Sequence, residues 1–208
     1  MLFLPPDWVA ALNYAGVGVF AATGALAAAR NNHDLVTFAF FAGITGVGGG
    51  TLRDLLIDAP VFWLDAPAYL STCLGVAVAV WLLGGVFRSW RYQALLWLDA
   101  VGLGAYAVLG VNKALAFGVS APVAAVMGVI TATFGGVIRD VLAGEPSILL
   151  RREIYVTAAL VAAVGYVALI AFGITAEVAA WIAAFSGFGV RAGAMLFGWN
   201  LPGYARRD

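Results

Sequence analysis

The sequence predicts an all-α membrane protein with seven transmembrane helices, built as two inverted three-helix repeats plus one C-terminal helix. Three observations predict it: an apolar composition, a one-sided placement of basic residues, and an internal repeat. Of 208 residues, 63% are hydrophobic and 11% charged, and the mean hydropathy is +0.98. A soluble domain carries about 25% charged residues, so this chain lacks the groups to solvate an ordinary surface. Its charges sum to zero, which gives no pull towards nucleic acid and leaves membrane lipids as the expected surroundings. The single cysteine, Cys73, excludes an internal disulfide and any multi-cysteine metal site. No metal or other cofactor is expected. The N-terminus has no basic region ahead of its first apolar stretch, which is long enough to span and stay.

A helix crosses the bilayer core with about 20 apolar residues. Seven stretches qualify, near 8–29, 35–57, 69–87, 94–115, 121–143, 154–173 and 178–198. The first two are separated by Arg30-Asn31-Asn32-His33-Asp34, where His33 is a solvated loop residue. Asp58-Ala59-Pro60 and Asp65-Ala66-Pro67 divide the second from the third, and Arg88 to Arg91 the third from the fourth. Later breaks fall at Ala116 to Ser120, Gly144 to Arg152 and Gly173 to Glu177, with Glu145 in a turn. Trp8, Trp63, Trp90 and Trp199 sit near span ends, where amphipathic rings favour the headgroup region.

Basic residues give the orientation. With the N-terminus outside, inner segments hold Arg30, Arg88, Arg91, Arg151, Arg152, Arg206 and Arg207. Outer segments then hold no Lys or Arg, but Asp7, Asp58, Asp65 and Glu177. The positive-inside tendency therefore places the C-terminus in the cytoplasm, as an odd number of spans requires. The expected location is the plasma (inner) membrane.

Sliding the chain by 86 residues aligns 13–75 with 99–161 without a gap. Gly16, Gly18 and Gly24 fall on Gly102, Gly104 and Gly110, Ile44-Thr45 on Ile130-Thr131, and Gly49-Gly50 on Gly135-Gly136. Arg53-Asp54 falls on Arg139-Asp140, Pro60 on Pro146 and Tyr69 on Tyr155. Three spans per unit turn the second unit over, the inverted-repeat pattern of many permeation proteins. The units are residues 1–90 and 91–174, with helix 7 and a short tail over 175–208.

The chemistry concentrates in two segments, Thr45-Gly46-Val47-Gly48-Gly49-Gly50-Thr51-Leu52-Arg53-Asp54 and Thr131-Ala132-Thr133-Phe134-Gly135-Gly136-Val137-Ile138-Arg139-Asp140. Glycine costs a helix about 1 kcal/mol per position relative to alanine. Consecutive glycines at Gly48, Gly49 and Gly50, and at Gly135 and Gly136, are therefore expected to kink or break their helices. Freed carbonyls are tolerated only inside protein or beside a watery cavity, which makes helices 2 and 5 the expected lining of a pathway. There the carbonyls, with the Thr45 and Thr131 hydroxyls, would replace part of a cation's hydration shell. The alternative is that the glycines only permit close helix packing.

Arg53 and Arg139 lie about 19 residues into their spans, near opposite faces, and either clamp or gate a pathway or snorkel at helix ends. Asp54 and Asp140 share that placement, and each residue of an Arg-Asp pair is free to reach another helix. Asp99 and Lys113 stand near the inner and outer ends of helix 4, where Lys113 is either a voltage-responsive charge or an interfacial anchor. Arg191 in helix 7 is expected to snorkel inward. The small residues of helix 1 (Gly16, Gly18, Ala21, Gly24, Ala25) suit tight packing against a neighbouring subunit. No nucleotide-binding, zinc-hydrolase or Ser/His/Asp pattern occurs, so an enzyme is not expected.

The doubled Gly-Gly-x-x-Arg-Asp within three plus three plus one spans resembles the prokaryotic branch of the trimeric intracellular cation (TRIC) channels. The resemblance covers nearly the whole chain. It implies a homotrimer with a potassium-permeable pore in each protomer, lined by bent helices 2 and 5. It makes Lys113 the counterpart of the basic helix-4 residue linked to voltage response. Phe134 departs from the three-glycine pattern. Some members are described as small amino-acid transporters, so a secondary carrier for a molecule such as glycine stands beside a channel passing potassium or sodium.

Overall fold

The computed structural model describes residues 3–83, 90–150 and 153–202. Arg88, Arg151, Arg152, Arg206 and Arg207, which supply much of the charge bias, lie outside the described residues, as do positions 84–87 of the expected third span.

Seven α-helices follow the apolar stretches in order: α1 Pro6–Arg30, α2 Leu35–Leu56, α3 Ala68–Leu83, α4 Arg91–Ala116, α5 Ala121–Leu142, α6 Val156–Ala171 and α7 Ala176–Phe197. A single 3₁₀ turn, Ile148–Leu150, precedes α6. Five helices are long and apolar enough to cross a membrane, while α3 and α6, at 16 residues each, are apolar but shorter. Local chemistry sets the ends. Pro6 opens α1, where a missing N–H costs nothing. The Asp34 carboxylate caps α2 by accepting the Thr37 N–H at 2.8 Å. Gly118, Gly144, Gly173 and Gly198 take left-handed backbone just past the ends of α4 to α7.

The repeat is written in these turns. Asn32 and Asp58 are the non-glycine residues of positive φ among the described residues, and they are the 86-residue counterparts of Gly118 and Gly144. The hydrogen bonds correspond too: the His33 N–H reaches the Ala28 carbonyl as Val119 reaches Ala114, and Ala59 reaches Asp54 as Glu145 reaches Asp140.

Helices α1, α2, α4 and α5 form the centre, with α3 against α1 and α2, and α6 against α4 and α5. The Tyr106 ring of α4 occupies the space beside Gly16 of α1, and the Phe20 ring of α1 occupies the space beside Gly102 of α4. The two rings meet edge to face at 5.0 Å between centroids. These contacts exchange under the 86-residue shift, so a pseudo-two-fold axis passes between α1 and α4. Helix α7 stands outside the symmetry and packs on α4 and α6.

The small-residue stripe of α1 is consumed within the chain. A Cβ on Gly24 would strike the Phe41 carbonyl of α2, and Ala21 and Ala25 are fully buried. The expectation that this stripe faces a neighbouring subunit is corrected for Gly16 and Gly24, which pack on the chain's own α4 and α2, and for the buried Ala21 and Ala25.

Candidate functional site

The two glycine segments meet at the crossing of α2 and α5. A Cβ on Gly49 would collide with the Thr131 carbonyl oxygen, and a Cβ on Gly135 would collide with the Thr45 carbonyl oxygen. Each glycine Cα–H therefore points at the opposite carbonyl, the geometry of weak Cα–H···O contacts. Gly48 lies beside Ile138 of α5, Gly50 accepts the Phe62 ring at 2.7 Å, and Gly136 faces the Tyr155 hydroxyl at 3.1 Å, distances measured from an ideal Cβ.

The expected break does not occur. Both α2 and α5 run as uninterrupted helices through their motifs, and neither motif contains left-handed backbone. A broken turn would leave carbonyls unpaired among apolar neighbours at several kcal/mol each, more than the glycines save by leaving the helix. The glycines permit close approach of the two helices.

Thr45 and Thr131 are buried, and their hydroxyls face α1 and α4 rather than an open path, beside Gly24 and Gly110 respectively. The Thr131 hydroxyl donates to the Met127 carbonyl at 2.6 Å, whereas the Thr45 hydroxyl has no hydrogen-bond partner. Phe134 points outward, 37% exposed, so it does not narrow the crossing.

The Arg-Asp pairs build one charged cluster at each end of this helix pair. At the first, Asp54 accepts Arg53 Nε and Nη2 on Oδ1, both at 2.8 Å. Asp54 Oδ2 accepts the Phe62 N–H at 3.0 Å and the Lys113 ammonium at 2.8 Å. At the second, Asp140 Oδ1 accepts Arg139 Nε at 2.9 Å and Nη2 at 2.8 Å, and its Oδ2 accepts the Ile148 N–H at 3.0 Å. Arg139 Nη1 adds Asp99 at 2.8 Å and the Thr23 hydroxyl at 3.0 Å. Phe62 and Ile148 are themselves 86-residue counterparts, so the carboxylate cradle is duplicated to the atom.

Snorkelling of the arginines is thereby corrected. Arg53 and Arg139 are 3% and 0% exposed, and each folds back onto its sequence neighbour. A lone buried guanidinium is prohibitively costly; one matched by carboxylates is not. Arg191 is likewise buried: its Nη2 meets Glu153 at 2.8 Å and its guanidinium lies 5.3 Å from the Tyr155 ring.

Helix α4 ties the clusters together. Asp99 and Lys113 are fourteen residues apart, about 21 Å along a helix, and they bind Arg139 and Asp54 respectively. The two Arg-Asp motifs therefore sit at opposite ends of α4, as inversion demands. Sequence reasoning missed Thr23, Tyr155, and the Arg30–Glu145 pair at 2.9 Å. The 86-residue register held one usable signal: Asp99 and Lys113 fall on Asn13 and Ala27, so the charges of α4 have no counterparts on α1.

Seven apolar helices in two inverted repeats, with a buried ion cluster at each end, define a polytopic membrane protein. A family model described as Glycine transporter matches residues 10–84 and 96–171. The chain belongs to that family, the one that includes the TRIC channels. The TRIC trimeric intracellular cation channel orthologue from Rhodobacter sphaeroides superposes with a TM-score of 0.89 at 47% identity, covering 92% of this chain and 98% of that one. A TRIC cation channel solved as a structural basis for conductance gives 0.82 at 32%, covering 95% and 97%. A UPF0126 membrane protein of Vibrio cholerae is 37% identical over 191 residues, covering 91% of this chain and 80% of the relative. The UPF0126 inner membrane protein YadS of Escherichia coli K12 is 35% identical over 196 residues, covering 93% and 95%.

Proposed function

We propose that the protein is a passive monovalent-cation channel, potassium-permeable, assembled as a homotrimer with a separate pathway in each protomer. Its neighbours of known structure are trimeric cation channels, which supports this reading over an enzymatic one. The observation that carries it is the pair of buried Arg-Asp clusters at the two ends of α2 and α5, separated by the glycine crossing. Side chains of both signs are held inside the membrane at fixed ends of one helix pair, and such groups are expensive to keep without use. In the crossed arrangement Gly49 and Gly135 bring the helices into backbone contact, so conduction requires α2 and α5 to part there. The N-terminus faces outward in this reading, which puts the Asp54 end outside and the Asp140 end inside. The units remain 1–90, 91–174 and 175–208, and the membrane is the plasma membrane.

Purified protein in planar bilayers under a KCl gradient tests this. Single-channel currents should reverse near the potassium equilibrium potential; silent bilayers from intact trimers would refute the channel. The family model's description favours a second reading, a secondary carrier for a small amino acid such as glycine. Saturable, gradient-coupled glycine uptake in proteoliposomes, without unitary currents, would establish that reading instead.

A further inference from the structure

The two carboxylate cradles are alike except in one place. Asp54 Oδ2 receives a backbone N–H and the Lys113 ammonium. Among the described residues, Asp140 Oδ2 receives only the matching backbone N–H, from Ile148. The residue of α1 that corresponds to Lys113 is Ala27, and beside it is a cavity of about 10 Å³ lined by Ala27, Asp140 and Glu145, with Arg30 and Ile148 at its walls. About one water-sized atom fits such a space.

We propose that Asp140 Oδ2, backed by Glu145, holds one monovalent cation of ammonium size, potassium among them, where the Asp54 cradle holds its own ammonium. Two independent observations carry this. The repeat itself shows which ligand the cradle takes, because the duplicated carboxylate oxygen, held in place by its backbone N–H, already accepts an –NH3⁺ in the other copy. The second is the cavity, which opens where alanine replaces lysine.

Charge agrees. Arg139 is neutralised on Asp140 Oδ1 and Asp99, and Arg30 is turned to Glu145 and stands 4.6 Å over the Tyr92 ring. Neither guanidinium is bonded to Asp140 Oδ2. As a stop on a permeation path the site rests on the channel reading; as a binding site it stands by itself.

Crystals of the wild-type protein grown in rubidium chloride should show anomalous density beside Asp140 Oδ2 and none beside Asp54, where Lys113 already sits. Saturating rubidium with no peak at Asp140 overturns the site. In solution, potassium, rubidium and ammonium should each raise the melting temperature over choline at equal ionic strength, by roughly 3–6 °C at ten times the dissociation constant. Ala27→Lys supplies the missing ammonium, so its melting temperature should lose this cation response without falling below that of wild type in choline. An unchanged response in that variant overturns the proposal, and if the variant does not fold the rubidium crystals still decide. Normal potassium currents with cation-indifferent melting would remove the site and leave the channel. Cation-dependent melting with silent bilayers would do the reverse.

Discussion

Gly49 and Gly135 each abut a backbone carbonyl, which has no rotamer with which to yield. Gly49→Ala or Gly135→Ala should therefore cost about 1–3 kcal/mol or more through overpacking, read as a lower melting temperature. Gly43 has nothing within 4 Å of its Cβ position in the same helix, so Gly43→Ala should be neutral or stabilising by up to about 1 kcal/mol. Equal effects at the three positions would show that helix propensity, not contact, governs these glycines. The arginines divide in the same way. Arg139→Met strands Asp99 and Asp140 and should cost about 3–5 kcal/mol. Lys113→Met leaves Asp54 held by Arg53 and the Phe62 N–H, so a loss of about 1 kcal/mol or less is expected for this partly exposed lysine. A larger loss at Lys113 than at Arg139 would reverse the ranking of the two clusters.

The helices are specified by different means at their ends and along their faces. Helix α2 begins on Asp34, whose carboxyl is held below the usual carboxylate range chiefly by the Thr37 backbone N–H, then by the Thr37 side chain. Because the folded value is depressed, the cap's contribution is present above about pH 4 and lost as pH falls through the lowered value. Asp34→Asn, which keeps an acceptor without the charge, should flatten this acid-side loss in a melting-temperature profile; an unaltered profile would deny the cap a part. Helix α4 binds both ends of the molecule through Asp99 and Lys113, whereas its counterpart α1 offers Asn13 and Ala27 at those places. The α7 contact shows the same asymmetry: a Cβ on Gly104 would strike the Ala184 carbonyl of α7, while its counterpart Gly18 meets only Thr72, at 3.8 Å.

At the scale of the molecule, the two repeats meet in backbone contact where α2 crosses α5. Separating it exchanges weak Cα–H···O contacts for solvent and leaves the helical hydrogen bonds intact, so an opening motion need not break either helix. Under this reading Gly49→Ala and Gly135→Ala, which push the helices apart, should raise open probability in bilayers even as they lower stability. A fall in open probability with unchanged unitary conductance would mean the crossing does not obstruct the path.

The sequence alone determined the membrane class, the seven helices and the two copies of the unit, because hydropathy, charge placement and an ungapped 86-residue register are properties of residue order. It also pointed to both Arg-Asp motifs. It did not determine what the glycines do: a run such as Gly48-Gly49-Gly50 suits a broken helix or a crowded one, and only the helix that arrives opposite decides. Nor could it pair Arg53 with Asp54, Lys113 with Asp54, or Arg139 with Asp99 and Thr23, since those partners are chosen by side-chain reach across helices. Tertiary structure settled these points because a buried charge and a missing Cβ take their meaning from the atoms packed against them.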